Sequence, residues 1–270
     1  MKIRGFYHVF IPPDPVLACM WIWWVDSQLQ AFRDSHLGKY ATVDVCITMP
    51  AHWTVVGGFE IISPINGLYV TFERLVTEYI EFRYPFAKVQ SVRDCSDVPI
   101  YEGQTLHHIF QTAKAGDLDD TFVVYFHTKG ISNSFMHSIQ LKGWKDTLDT
   151  IILRNWTTCI KHLLENDVVG VWDKQSYDQH VLQKEYRPVW SGNYWWARGD
   201  YLKTLPDPLQ SNHYLASEKS DQFPGAPAYR YAFEHWVNVG NPRMQPVGIT
   251  NVVHYSTFFD VDKVSDIIIH

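Results

Sequence analysis

The chain has 270 residues, 46% of them hydrophobic and 15% aromatic, and carries a formal net charge of −6. This length accommodates one large domain with a substantial core, and the acidic balance without a basic stripe argues against a nucleic-acid partner. Residues 16–25 form an apolar run that is too short to span a bilayer, so no transmembrane segment is predicted. Free thiols in a reducing compartment, and hence a soluble, cytoplasmic protein, are indicated by four widely separated cysteines: Cys19, Cys46, Cys95 and Cys159.

Strands and helices alternate through the first half of the chain. The hydrophobic patterns predict strands over residues 3–11, 43–48 and 86–92 and helices over residues 14–37, 72–82 and 101–117. Residues 121–126 are almost all β-branched or aromatic, as expected for a strand buried on both faces. Alternation of this kind predicts an α/β fold with a mainly parallel sheet flanked by helices.

The second half of the chain is less regular. Its patterns predict a helical tract over residues 135–166 with a break near Gly143, a strand over 168–172, a loop or strand turning into a short helix over 190–202, a helix over 229–239 and a late strand over 247–255. The late strand adds to the sheet near the C-terminus. Because no linker is rich in Gly, Ser or Pro, we expect residues 1–270 to form a single domain.

The central strand ends abruptly in polar residues, at the sequence His127-Thr-Lys-Gly130. In open α/β sheets, ligands bind at the carboxyl ends of the strands. This strand would therefore deliver an imidazole, a hydroxyl, an ammonium group and a permissive glycine to the edge where such folds carry out chemistry. The alternative is an ordinary polar turn in which Gly130 adopts a positive φ.

Three blocks resemble glycosyltransferases of the GT-A fold. A turn at Ala113-Lys-Ala-Gly-Asp117 feeds the central strand, Ser191-Gly-Asn-Tyr-Trp-Trp-Ala197 looks like the loop against donor and acceptor, and Phe233-Glu-His-Trp236 looks like the helix that presents an acidic base. The Tyr125-x-His-Thr-Lys-Gly130 strand end, together with the Gly-Asn-Tyr-Trp-Trp block and the Glu-x-Trp helix, is similar to a group of predicted glycosyltransferases from large DNA viruses and bacterial surface-glycan gene clusters. The likeness runs from about His8 to Trp236.

The resemblance implies a GT-A-like, Rossmann-like fold and an enzyme that moves a sugar from a nucleoside-diphosphate sugar to a glycan or glycoprotein acceptor. It implies a nucleotide-binding half of about residues 1–130 and an acceptor-side half of about residues 131–270. If the source is viral, the compartment would be the host cytoplasm. Glu234 would be the general base of an inverting reaction, because a carboxylate can take the proton of an acceptor hydroxyl.

Other residues acquire expected roles from the same resemblance and from their chemistry. Only one of the adjacent Trp195 and Trp196 is expected to face the site, because neighbouring strand residues point to opposite faces. The expected donor-binding residues are His8, Phe10, Glu102, Thr105, His127, Thr128, Gly130, Gly192 and Asn193. The expected acceptor-binding residues are Tyr194, Trp195, Trp196 and Trp236.

The metal requirement stays open at the level of sequence. The family places Asp-x-Asp at the strand end, but here His127-Thr-Lys-Gly130 offers no carboxylate, and Asp119-Asp120 precedes the strand. Lys129 and the amides around Gly130 could replace the metal as fixed positive charge facing the diphosphate. Alternatively, Mn²⁺ or Mg²⁺ could bind through His127, Asp173 and His254.

Two other functions compete with sugar transfer. The missing Asp-x-Asp and the many aromatic residues also suit a non-catalytic protein that binds carbohydrate or nucleotide sugar on a transferase scaffold. Hydrolysis of the donor without a sugar acceptor is a third reading. Assays of the donor with candidate acceptors distinguish the three.

Overall fold

The computed structural model describes residues 1–12, 15–18, 20–50, 61–62, 69–70, 72–94, 102–128, 135–173, 178, 190–210 and 233–250. The strands are β1 Lys2–Phe10, β2 Ala41–Met49, β3 Ile61–Ile62, β4 Tyr69–Val70, β5 Ala87–Asp94, β6 Thr121–His127, β7 Val168–Asp173, β8 Trp190–Arg198 and β9 Met244–Thr250. The α-helices are α1 Pro15–Ala18, α2 Trp21–Asp34, α3 Phe72–Arg83, α4 Gly103–Lys114, α5 Phe135–Leu148, α6 Trp156–Leu163 and α7 Gly199–Leu202. A π-helical segment, Asp149–Arg154, joins α5 to α6, and 3₁₀ turns occupy Leu37–Lys39 and Trp236–Asn238.

A seven-stranded sheet in the order β5-β2-β1-β6-β8-β7-β9 organises the fold. Neighbouring strands are parallel except at β8, which runs antiparallel to both β6 and β7. β3 and β4 pair separately as a short antiparallel ribbon. The prediction of an α/β fold with a mainly parallel sheet, flanked by helices and extended by a C-terminal strand, is confirmed.

Two apolar layers cover the two faces of the sheet. On one face α2 contributes Trp24, Val25, Leu29 and Phe32, which lie close to helical spacing and pack in one cluster with β1 and β6 side chains. On the other face α4 contributes Leu106, Ile109 and Ala113, which pack in a second cluster. We call these the α2 face and the α4 face.

The connections between strands reverse direction between β1 and β6. From β1 the chain passes through α2 to β2 and later reaches β5, all on one side of β1. From β5 it returns through α4, on the opposite face, to β6 on the other side of β1. Such a switch opens a crevice at the carboxyl ends of the two strands, where doubly wound sheets bind ligands.

Several predicted boundaries differ from the structure. The helix expected over residues 14–37 is divided by a turn at Met20 into α1 and α2. The break expected near Gly143 is wrong, because Gly143 lies inside α5, where its backbone makes regular helical turns on an exposed surface. The tract is interrupted later, at Asn155, after the π-helical segment. Of the helix expected over residues 229–239, the described part is a single turn at 233–235 followed by the 3₁₀ turn.

Candidate functional site

Polar side chains meet on the α4 face at the carboxyl ends of β1 and β2. Nδ1 of His8 lies 3.0 Å from Oγ1 of Thr105, and its Nε2 lies 3.4 Å from Oγ1 of Thr48. Burial disfavours the imidazolium and lowers the pKa of His8 to about 3. The predicted pair His8 and Thr105 is therefore brought together, and His8 is a neutral imidazole at neutral pH.

A buried carboxylate lies next to this pair, at the start of α4. Glu102 precedes the first residue of α4, and its Oε2 accepts a hydrogen bond of 2.8 Å from the hydroxyl of Tyr125. Burial, followed by the neighbouring Glu102 charge, raises the pKa of Tyr125 well above its usual value, so this phenol stays a donor. The start of a helix is favourable for a negative charge, which helps to hold Glu102 in the interior.

The ring of His127 is fixed between β6 and β8. Its Nε2 lies 2.6 Å from the carbonyl oxygen of Gly192, to which it donates, and 3.7 Å from Oε2 of Glu102. The ring also stacks over Tyr125 with 6.0 Å between centroids. The predicted donor-binding residues Glu102, His127 and Gly192 thus converge on one end of β6.

The next residue, Thr128, ties β6 to β1. Its Oγ1 accepts a hydrogen bond of 2.8 Å from the backbone N of Phe10, and its own backbone N donates to the carbonyl of His8 at 3.0 Å. Both bonds lie at the switch between the two strands. Phe10 therefore enters the site through its backbone.

The start of β8 has an unusual backbone. Gly192 and Asn193 both have positive φ, 65° and 55°. A Cβ on Gly192 would lie 2.5 Å from Cδ1 of Leu148, so this glycine is required by packing against α5 as well as by its φ. In the described structure the group packed against Gly192 is Leu148 of α5, and the expected contact with a donor stays a prediction.

Asn193 has a buried donor that lacks an acceptor. Its Oδ1 accepts a hydrogen bond of 3.1 Å from the indole Nε1 of Trp195, which settles the orientation of the amide. Nδ2 has no hydrogen-bond partner among the described residues, although Asn193 is only 1% exposed. A buried amide donor without a partner is costly, so this position is suited to an oxygen acceptor supplied by a ligand.

The aromatic residues of β8 are enclosed by the protein. Trp195 packs on the α4 face and Trp196 on the α2 face, where its Nε1 donates to the carbonyl of Ile152 at 2.9 Å. Tyr194 is fully buried, and its hydroxyl donates to the carbonyl of His127 at 2.5 Å. As expected, the two tryptophans face opposite sides of the sheet. Both rings are buried in the core, and so is Tyr194, so none of the three exposes a ring to an acceptor.

The segment that carries Glu234 packs against β8. The ring of Trp236 lies 6.5 Å from that of Trp195, and its Nε1 donates to the carbonyl of Pro206 at 2.8 Å. Asn238 accepts a hydrogen bond of 2.9 Å from Nε1 of Trp190, at the start of β8. Half-buried Glu234 is therefore held on the α4 face, while Trp236 is a buried anchor of this segment.

Several predicted residues lie outside the described structure: Lys129, Gly130 and His254. Asp173 ends β7 at the same edge of the sheet as His127, and only its backbone is described. Within the described ranges no group of three or more His, Cys, Asp and Glu side chains is arranged to hold a metal ion. No helix in those ranges is long and apolar enough to cross a membrane.

Sequence reasoning missed a buried polar network on the α2 face. Gln28 of α2 accepts a hydrogen bond from the hydroxyl of Tyr7 at 2.7 Å and donates to the carbonyl of His127 at 3.0 Å. Lys145 and Asp149 form a buried ion pair beside it. The available signal was a glutamine at core spacing in the apolar stripe of α2.

No protein-family model matches the chain, and no curated protein is significantly similar to it. A protein of known structure from Desulfovibrio desulfuricans G20, provisionally identified as a nucleotide-diphospho-sugar transferase, is similar with a TM-score of 0.43 and 11% sequence identity. The match covers 92% of this chain and 81% of that one. A likeness of this degree carries no argument about activity, which depends on the residues of the site.

Proposed function

We propose that this protein is a glycosyltransferase that moves a sugar from a nucleoside-diphosphate sugar to a glycan or glycoprotein acceptor. The supporting observation is the meeting of two distant segments at the carboxyl end of β6, with a third segment packed on the same face of the sheet. His127 and Thr128, Gly192 and Asn193, and the segment of Glu234 meet on or beside the α4 face. The His127–Thr128 strand end and the Gly192–Asn193 block therefore come together at the edge where ligands of such sheets bind, and the Glu234 segment packs on the same face beside Trp195.

Donor binding is assigned to the crevice between β1 and β6. The unpartnered Nδ2 of Asn193 donates to an oxygen of the donor, and neutral His8 and the buried Glu102 line the same end of the sheet. Lys129 follows Thr128 directly in the sequence and supplies positive charge for the diphosphate. Such charge stabilises the leaving group as its negative charge develops.

Glu234 is assigned as the general base. Its segment is held against β8 by the packing of Trp236 on Trp195 and by the hydrogen bond from Trp190 to Asn238, which supports a defined position for the carboxylate. A base in hydrogen-bond reach of the acceptor hydroxyl removes its proton while the oxygen attacks the anomeric carbon. Attack from the face opposite the leaving diphosphate inverts the configuration at that carbon.

The described side chains do not fit a Mn²⁺ or Mg²⁺ site. Nε2 of His127 is engaged as a donor to the carbonyl of Gly192, and the nearby carboxylate of Glu102 is held by Tyr125. These hard cations prefer a set of oxygen ligands, mostly carboxylates, which this edge does not assemble from described residues. We therefore assign the diphosphate-binding charge to Lys129, and the dependence of binding on Mn²⁺ tests this assignment.

The test is calorimetric titration with UDP, GDP and their sugars, in Mn²⁺ or in EDTA, together with turnover on a panel of acceptors. Binding that survives EDTA, is lost in Lys129→Ala and is kept in Lys39→Ala supports the proposal, since Lys39 is exposed beside the amino end of β2. Binding only with Mn²⁺ would overturn the role of Lys129. Absence of binding under all conditions contradicts the proposed function. Binding without transfer or hydrolysis would favour the non-catalytic alternative.

A further inference from the structure

Five polar side chains form a continuous buried network beneath the proposed site: Tyr7, Gln28, Lys145, Asp149 and Tyr194. We call this set the Gln28 network. Each of these residues is at most 3% exposed. They come from β1, α2, α5, the π-helical segment and β8, so five elements meet at one point on the α2 face.

Gln28 is the centre of the network. Its Oε1 accepts from the Tyr7 hydroxyl at 2.7 Å, which settles the orientation of its amide. Its Nε2 lies 2.5 Å from the hydroxyl oxygen of Tyr194 and 3.4 Å from Oδ1 of Asp149. Asp149 is in turn paired with Lys145, whose Nζ also donates to Oγ of Ser27 at 3.0 Å.

The network ends on one backbone atom, the carbonyl oxygen of His127. Nε2 of Gln28 lies 3.0 Å from this oxygen, and the hydroxyl of Tyr194 lies 2.5 Å from it. Two side-chain donors from different elements thus hold the last peptide unit of β6. The ring of the same residue points to the opposite face, where it bonds to Gly192. Thr128 and Lys129 follow directly in the sequence.

Stability alone does not account for such a network. Burying an ion pair and an amide requires removing them from water, and well-packed apolar residues of similar volume are often as stabilising or more so. Buried polar networks that are fully bonded do fix a geometry, because each donor and acceptor has one satisfactory arrangement. A device that fixes geometry is useful where the chain leaves the sheet toward a ligand.

We propose that the Gln28 network positions the end of β6, holding the His127 peptide so that the imidazole and the backbone of Thr128 keep their places at the crevice. Its members are positioning residues, since they lie on the α2 face and act through the backbone. The importance of this placement for catalysis rests on the proposed function. The placement itself can be measured without any substrate.

The test uses the ring nitrogen signals of His127 in the full-length protein, assigned by comparison with His127→Gln. Tyr194→Phe removes one hydroxyl and keeps the ring, and it should shift the His127 signals while the protein remains folded. Tyr7→Phe releases only Oε1 of Gln28 and should produce a smaller shift of the same sign. The control is Tyr84→Phe, which removes a hydroxyl that donates to Oδ1 of Asp26 at 2.8 Å, also on the α2 side, and should leave His127 unchanged.

Unchanged His127 signals in both Tyr194→Phe and Tyr7→Phe, with folded protein, would overturn the inference. An equal shift in Tyr84→Phe would do the same, because it would show a general response to lost hydroxyls. Where wild-type protein binds a nucleotide sugar, Tyr194→Phe should also weaken that binding by about tenfold or more, as misplaced binding groups do. Shifted signals in a protein that binds no nucleotide sugar would uphold the positioning role and refute the proposed function.

Discussion

The side-chain oxygen of Thr128 lies 2.8 Å from the backbone nitrogen of Phe10, joining the ends of two parallel strands at the point where they part. Beyond the last regular pair, His8 with His127, the sheet would otherwise open. The threonine hydroxyl therefore extends the ladder by one side-chain bond. It ties the two strands together at the edge where the chain switches direction.

Replacement of Thr128 by valine should lower both stability and donor affinity. The isosteric change leaves the amide of Phe10 without its acceptor, which costs about 1–3 kcal/mol in the free energy of unfolding. Urea unfolding and calorimetric titration with the nucleotide sugar measure the two effects. Thr128→Ser should retain most of the wild-type stability and donor affinity, because it keeps the hydroxyl.

Thr121→Val is the matched control for this change. Thr121 begins the same strand, and its Oγ1 donates to the carbonyl of Asp119 at 3.1 Å, at the opposite edge of the sheet. The Thr121→Val variant should be less stable than wild type but should bind the donor with unchanged affinity. Equal loss of affinity in the two variants would show that the Thr128 effect is global.

Two glycines should respond with opposite signs to alanine. Gly192→Ala places a Cβ 2.5 Å from Leu148 at a φ of 65°, and we expect it to destabilise the fold by about 1–3 kcal/mol. Gly143→Ala lies in α5 with nothing within 4 Å of the new atom and should stabilise by about 0.5–1 kcal/mol. Chemical denaturation of both variants tests the pair, and a neutral Gly192→Ala would mean that α5 yields to the added methyl.

Asn193→Gly should weaken donor binding more than it weakens the fold. Glycine accepts the positive φ of this position, so the change removes the amide without backbone strain. Loss of a ligand hydrogen bond should reduce affinity by about tenfold, measured by calorimetry.

Trp195→Phe separates the two roles of the Asn193 amide. It removes the indole donor to Oδ1 and leaves Nδ2 in place. Its stability should fall through lost packing, while donor affinity should change less than in Asn193→Gly. The reverse order of affinities would refute a direct contact between Asn193 and the donor.

His8 should make the fold sensitive to mild acid. Its folded pKa of about 3 lies below the ordinary value of 6.5, so the unfolded chain takes up the proton first as the pH falls. The stability that the fold gains from neutral His8 is fully present above the ordinary pKa and is lost as the pH falls toward the folded pKa. Between about pH 7 and about pH 5 this loss amounts to about 2 kcal/mol in the free energy of unfolding. The free energy of unfolding, measured with urea across this range, should depend less on pH for His8→Gln than for wild type.

Glu234→Gln should greatly slow turnover and preserve donor binding. The amide keeps the size of the side chain but cannot accept a proton, so we expect the rate of transfer to fall by about 10²–10⁴-fold. Donor affinity, measured by calorimetry, should stay close to that of wild type. Glu165→Gln, on an exposed turn after α6, serves as the control. Near-normal turnover in Glu234→Gln would remove this residue as the base.

The sheet was predictable because its strands have a strong local signal. β6 is buried along nearly its whole length, and its β-branched and aromatic sequence indicated this directly. The strand end at His127 was located by the contrast between apolar and polar runs, whereas the block at Gly192 and Asn193 was located through its resemblance to glycosyltransferases. Local pattern therefore identified the edge of the sheet that carries the candidate site.

What the sequence could not reveal depends on contacts between distant segments. Tyr194 and Trp196 have the composition of a sugar-binding surface, yet α5 and the π-helical segment cover them, which no local pattern reports. Gln28 lies 99 residues from its partner His127, and Lys145 becomes internal only because Asp149 is beside it. Buried polar pairs of this kind become visible once the chain has folded.

The length of the π-helical segment between α5 and α6 determines which face of α6 is turned toward the sheet. The amide of Asn155 reaches back five residues to the carbonyl of Thr150, at 3.0 Å. An α-helix advances about 100° per residue, so deletion of one residue here would restore ordinary winding and turn α6 by about that angle. The buried residues of α6, Cys159, Ile160 and Leu163, would then no longer pack against the sheet. Related chains should accept substitutions within residues 149–154 far more readily than insertions or deletions.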